Sequence, residues 1–127
     1  MNFLNRCILI VEDDDDTAQL YAVLLGRAGY DTTITHSGHE ALRKAEAQQF
    51  DLILSDIGMP HMNGYELAAC LRATTGYAEV PLVSVTGFGL QDDADRSRRA
   101  GFNKHLVKPV NPVTLLHTIS LLINKDG

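Results

Sequence analysis

The sequence predicts an α/β fold: a doubly wound sheet of five parallel strands with helices on both faces. Three observations predict it. Short, nearly unbroken aliphatic runs recur along the chain, as strands covered on both faces require. Helical three-to-four spacing of apolar residues fills the intervals between them. The two kinds of segment alternate five times, joined by a few residues each, with neither an internal repeat nor a linker. Such alternation calls for right-handed crossovers, which put helices on both sides of the sheet.

The first strand is Cys7–Val11, and the helix after it carries Ala18, Tyr21, Leu24 or Leu25, and Ala28 before a stop at Gly29. "DTTITH" at 31–36 is a weaker strand, marked by its β-branched residues. "HSGH" at 36–39 reads as a loop leading into a helix with Ala41, Leu42 and Ala45 inward, not as a ligand pair. Leu52–Leu54 forms the third strand, and Leu67, Ala68 and Leu71 mark the helix that follows. The fourth strand is Val80–Val85. After it, 90–100 is helical with a thin apolar face, so it should pack lightly, and "RSRR" at 96–99 reads as its solvated side. His105–Val107 is the last strand. Asn111 then caps a final helix with Pro112 at its first position, and Leu115 or Leu116, Ile119, and Leu122 or Ile123 face inward.

The 127 residues suit one domain, 45% hydrophobic and 21% charged. A net charge of −5 and scattered basic residues argue against direct nucleic acid binding. Cys7 and Cys70 belong to no CxxC pair and read as two buried free thiols, with no zinc or redox dithiol. The apolar run at the start reaches Glu12 too soon for a signal peptide, and no window approaches a membrane span. The expected location is the cytoplasm, without membrane insertion.

In folds of this class the ligand crevice lies at the carboxyl ends of the strands. Glu12 and Asp13 follow the first strand, Asp56 the third, Thr86 the fourth and Lys108 the fifth. Taken singly, Asp56 could be a turn residue, Thr86 a strand end and Lys108 a solvated lysine. Together, four strand ends send three carboxylates, one hydroxyl and one amine to a single crevice. Three carboxylates stay ionised at close quarters only if a cation intervenes or a proton is retained. Mg²⁺, a hard ion with oxygen ligands, suits that donor set. A carboxylate beside it can act as nucleophile towards phosphorus, with the metal and an ammonium sharing the charge on the phosphoryl oxygens. Thr86 could then bond an arriving phosphoryl group and sense it.

"ILIVEDD", "DLILSDIGMPHMNG", "VPLVSVTG" and "GFNKHLVKPV" together resemble the receiver domain of two-component response regulators over roughly residues 6–123. The resemblance implies a flavodoxin-like (βα)5 sheet in the order 2-1-3-4-5. It implies that Asp56 accepts a phosphoryl group from a histidine kinase or histidine phosphotransfer protein. Asp13, Asp56 and the backbone carbonyl of Gly58 would hold Mg²⁺, with Glu12 acting through water. Lys108 would pair with the phosphoryl group, Thr86 would move towards it, and Pro109 would follow a cis bond. Pro60 and Gly64 would shape the turn after the acceptor, Gly64 by permitting it. The signal would leave through the face made by the fourth helix, fifth strand and fifth helix. Such a domain catalyses its own phosphorylation and dephosphorylation but is not an enzyme acting on external substrates.

Three departures from the family pattern stand out. Glu12 stands where Asp is commoner. Gly58 and Gly87 leave the site open to water, which would partly set the lifetime of the phosphoryl group. His105 replaces the usual aromatic residue of the switch, which keeps in view a pseudo-receiver serving only as an interaction module. A haloacid dehalogenase-type phosphatase needs a second carboxylate two residues after its nucleophile, where this chain has Gly58. A flavodoxin-like cofactor binder needs a phosphate cradle after the first strand, where the acidic run would repel phosphate. The sequence ends soon after the last helix, so output is expected through a partner or through a further domain, the protein being a stand-alone receiver or the receiver of a hybrid sensor kinase. "GFNKHLVKPV" is also similar to receivers attached to sensor kinases.

Overall fold

The computed structural model describes residues 5–87 and 91–124, with the backbone alone at 91–93. Its elements are β1 (Cys7–Val11), α1 (Asp15–Arg27), β2 (Asp31–Thr35), α2 (Gly38–Ala47), β3 (Leu52–Asp56), α3 (Gly64–Arg72), β4 (Leu82–Thr86), α4 (Gln91–Ala100), β5 (Lys104–Val107) and α5 (Pro112–Ile123). The five strands form one sheet in the order β2-β1-β3-β4-β5, and every pairing is parallel. This is the expected fold.

Alternation along the central strands divides the core in two. Leu9, Val11 and Ile53 face α2 and α3, packing with Ala41, Leu67 and Leu71. Ile8, Ile10 and Leu54 point the other way, onto Leu25 of α1 and Leu115 and Ile119 of α5. Strands sandwiched in this way must be apolar on both sides, which is why they read as unbroken aliphatic runs.

Element boundaries differ from expectation for local reasons. Pro81 has no N–H to give the ladder, so β4 starts at Leu82 rather than Val80, although the Pro81 carbonyl accepts from Ile53 N at 3.0 Å. The β3 and β4 ladders run on through Asp56 and Thr86, which are therefore the last strand residues rather than the first beyond them. α1 ends one residue before Ala28, its C-cap, with Gly29 at φ +99° where the sequence places the stop. Leu90, expected as the start of the fourth helix, lies outside the described residues. The buried-thiol reading needs correction: Cys7 is only half-buried and Cys70 is exposed on α3. No helix among the described residues is long and apolar enough to cross a membrane.

Candidate functional site

The parallel sheet carries the carboxyl ends of β1, β3, β4 and β5 to one edge. Glu12 and Asp13 lie just past β1, Asp56 closes β3, Thr86 closes β4, and Lys108 follows β5. One carboxylate oxygen from each of Glu12, Asp13 and Asp56 falls within 4.8 Å of the others. Lys108 Nζ lies 3.0 Å from Glu12 Oε1 and 3.6 Å from Asp56 Oδ1. The other oxygen of Glu12 accepts from the backbone N–H of Asp14 at 3.0 Å. Both Glu12 oxygens are thus engaged by the protein, whereas Asp13 is exposed.

Burial dominates the electrostatics. Glu12 is 1% and Asp56 7% exposed. Desolvation raises both carboxyl pKa values, against the pull of Lys108 and of backbone N–H groups at Asp14 for Glu12, and at Gly58 and Ile57 for Asp56. Burial alone would lower the Lys108 pKa, but its hydrogen bond to Glu12 and the negative charges of Asp56 and Glu12 outweigh that and raise it. The site therefore holds more negative charge than one ammonium relieves. An oxygen-only donor set carrying that surplus fits a hard divalent cation.

Beside these groups lies a hollow of about 320 Å³ lined by Asp56, Gly58, Tyr65, Thr86, Gly87 and Lys108. A Cβ added at Gly58 or Gly87 would meet nothing within 4 Å. The hollow is open where a larger residue would narrow it. Gly64 plays a different part from the one expected. Its own φ is not positive; His61 takes the left-handed position of this turn, at φ 68°. A Cβ on Gly64 would instead lie 2.6 Å from the Asp56 carbonyl oxygen and 2.8 Å from Ile57 Cα, so the absent side chain lets α3 press against the backbone bearing Asp56. Pro60 precedes that turn, and the Lys108–Pro109 bond is cis, as the sequence suggests.

His105 does not line this hollow. It pairs across β5 to Ser84 of β4, and its Nδ1 lies 2.9 Å from Ser84 Oγ. Two neighbours of the site escape a reading by motif. Tyr65 lines the hollow, and its place three residues before Ala68 was the available signal. Tyr21 approaches from α1 on the other sheet face, its phenol pushed up to about 12 by burial, with Glu12 and Asp56 adding to the rise and Lys108 opposing it.

The profile of the response regulator receiver domain matches residues 8–120. The polar-differentiation response regulator DivK of Brucella ovis is 33% identical over 116 residues, covering 91% of this chain and 94% of DivK. The Vibrio cholerae chemotaxis protein CheY4 superposes with a TM-score of 0.90 at 33% identity, covering 94% of this chain and 99% of that one. The receiver domain of a Pseudomonas aeruginosa sensor histidine kinase, whose structure has a magnesium ion in its active site cleft, gives 0.88 at 31% identity, covering 95% and 99%.

Proposed function

Since the chain belongs to the response regulator receiver domain family of two-component signalling, we propose that it is a phosphoryl-accepting switch with Asp56 as the acceptor. The observation that carries this reading is the buried Asp56 carboxylate at the wall of an open hollow, with Lys108 Nζ 3.6 Å away and two further carboxylates beside it. An Asp56 oxygen attacks phosphorus, and the bond from phosphorus to the donor breaks with its electron pair leaving on the donor. The donor is a phosphohistidine of a histidine kinase or phosphotransfer protein. Lys108 meets the charge of the phosphoryl oxygens, and Thr86, at the end of β4, offers them its hydroxyl.

Asp13, Asp56 and the Gly58 carbonyl would hold Mg²⁺. Glu12 would act through water, since Lys108 and the Asp14 N–H already occupy its oxygens. When bound, the metal supplies positive charge that neutralises the surplus carboxylate and the incoming phosphoryl oxygens. Hydrolysis of the aspartyl phosphate resets the switch, and no external substrate is turned over. The signal passes to a partner through the face of α4, β5 and α5, and the protein works in the cytoplasm.

Intact-mass analysis after incubation with acetyl phosphate and Mg²⁺ tests the proposal. Wild type should gain one phosphoryl mass that needs Mg²⁺, and Asp56→Asn should gain none. No gain in wild type would leave an interaction module that works without phosphorylation, and an equal gain in Asp56→Asn would put the phosphoryl group on another residue and refute Asp56 as the acceptor.

A further inference from the structure

Among the described side chains of α4, Ser97 is the one that is fully buried. The fully buried side chains of α1 and α5 are apolar or aromatic, whereas that of α4 is a hydroxyl, with Ala100 packing only partly buried against the core. Ser97 Oγ lies 2.9 Å from Ser84 Oγ in β4 and 3.4 Å from His105 Nδ1 in β5, while Ser84 Oγ lies 2.9 Å from the same nitrogen. Ser84 and Ser97 are 0% and 1% exposed.

The two hydroxyls and Nδ1 can hydrogen-bond whichever His105 nitrogen carries the proton. If Nδ1 accepts, Ser84 donates to it and Ser97 donates to Ser84. If Nδ1 donates, Ser84 accepts and turns its own proton to Ser97 or to the Lys104 carbonyl, 3.4 Å away. An apolar contact tolerates sliding, but a hydrogen bond of this length does not. Moving α4 by a single residue, about 1.5 Å along its axis, would break it. The preceding residue of α4 reaches the other way: the Arg96 guanidinium lies 4.3 Å from the centre of the Tyr65 ring, and Tyr65 lines the hollow beside Asp56.

We propose that Ser97 and His105 are positioning residues. With Ser84 they form a hydrogen-bonded seat that holds α4 in one register on the sheet, and Arg96 on Tyr65 ties that register to the hollow. The seat is independent of the proposed function; its coupling to the hollow rests on the phosphoacceptor reading. α4 is then a helix with discrete positions, because leaving the seat exposes buried hydroxyls that no neighbouring apolar group can satisfy.

Amide hydrogen exchange of the whole chain tests both parts. Ser97→Ala should speed exchange of the α4 amides about tenfold while α2 and α3 stay as in wild type, which also shows that the fold is intact. His105→Phe, which keeps a ring but loses Nδ1, should loosen α4 likewise, and Ser97→Thr, which keeps the hydroxyl, should restore it. Wild-type exchange in both Ser97→Ala and His105→Phe, or a Ser97→Thr helix as loose as Ser97→Ala, would overturn the seat. Beryllium fluoride with Mg²⁺, a phosphoryl mimic, should change α4 exchange in wild type but not in Ser97→Ala. An equal response in both would overturn the coupling. No response anywhere in wild type would overturn the phosphoacceptor reading and the coupling with it, leaving the seat to be judged by the first comparison.

Discussion

Glu12 and Asp56 set the balance of charge at the site, and their burial gives the protein a stability that depends on pH. In the folded chain both carboxyls titrate above their ordinary values of 4.5 and 3.8. From those values up to the folded ones, the native state holds protons that the unfolded chain has released. Their contribution is therefore fully present below the ordinary values and is lost as pH rises through the folded ones. Asp56→Asn removes one of these charges. Without metal, thermal denaturation at pH 7 should find it more stable than wild type by on the order of 1–2 kcal/mol, the gap closing towards pH 4. A wild type as stable as the variant at pH 7 would mean that Lys108 fully compensates Asp56. The glycines give a second residue-scale contrast. Gly64→Ala pushes a Cβ to 2.6 Å from the Asp56 carbonyl oxygen, so denaturant titration should show a loss of about 1–3 kcal/mol. Gly58→Gln enters open space: stability should stay within about 0.5 kcal/mol, while the aspartyl phosphate should decay more slowly as water is displaced.

Elements were legible in the sequence wherever burial left a pattern. The strands between two helical layers are aliphatic throughout, and four helices show an apolar stripe. α4 does not, because its one fully buried described side chain is a serine, beside a partly buried Ala100, and no hydropathy pattern reveals a helix seated on a hydroxyl. The acidic run at 12–16 divides in sequence between the end of β1 and the start of α1, and the structure picks out the cap. Asp14 alone caps α1, accepting from Thr17 N at 3.0 Å, while Asp15 and Asp16 occupy the first turn. Next to the acceptor strand, α3 starts with a reciprocal cap: Asn63 Oδ1 accepts from Glu66 N at 2.9 Å and Glu66 Oε1 from Asn63 N at 3.0 Å. Asn63→Ala takes the acceptor from Glu66 N but keeps the backbone N–H that donates to Glu66, and should cost about 1 kcal/mol in chemical denaturation. An unchanged midpoint would show that solvent replaces the cap without loss.

The whole molecule divides its work between the two ends of the sheet. The carboxyl ends hold the acidic groups, Thr86 and Lys108, and their convergence could be read from sequence because topology alone brings strand ends together. The opposite end is held by bonds that no motif marks. The Asp51 carboxylate accepts from Cys7 N at 2.7 Å, and the Tyr77 hydroxyl donates to the Gln48 carbonyl at 2.6 Å. Arg72 does most there. Its guanidinium donates to the carbonyls of Gly101, Tyr77, Ala78 and Val80 and to Asn103 Oδ1, at 2.7–3.2 Å. It thereby joins the end of α3, the α3–β4 connection and the turn after α4. A lone arginine in sequence gives no sign of this, since all but one of its partners are backbone carbonyls, from segments up to 29 residues away. Arg72→Ala strands several of these carbonyls and should cost about 2–4 kcal/mol in denaturant titration, yet leave Mg²⁺ affinity within about twofold. Asp13→Ala should do the reverse, weakening Mg²⁺ binding at least about tenfold by titration calorimetry with little change in stability. Loss of Mg²⁺ affinity in a folded Arg72→Ala would show that the two ends are coupled through the sheet and would refute this division.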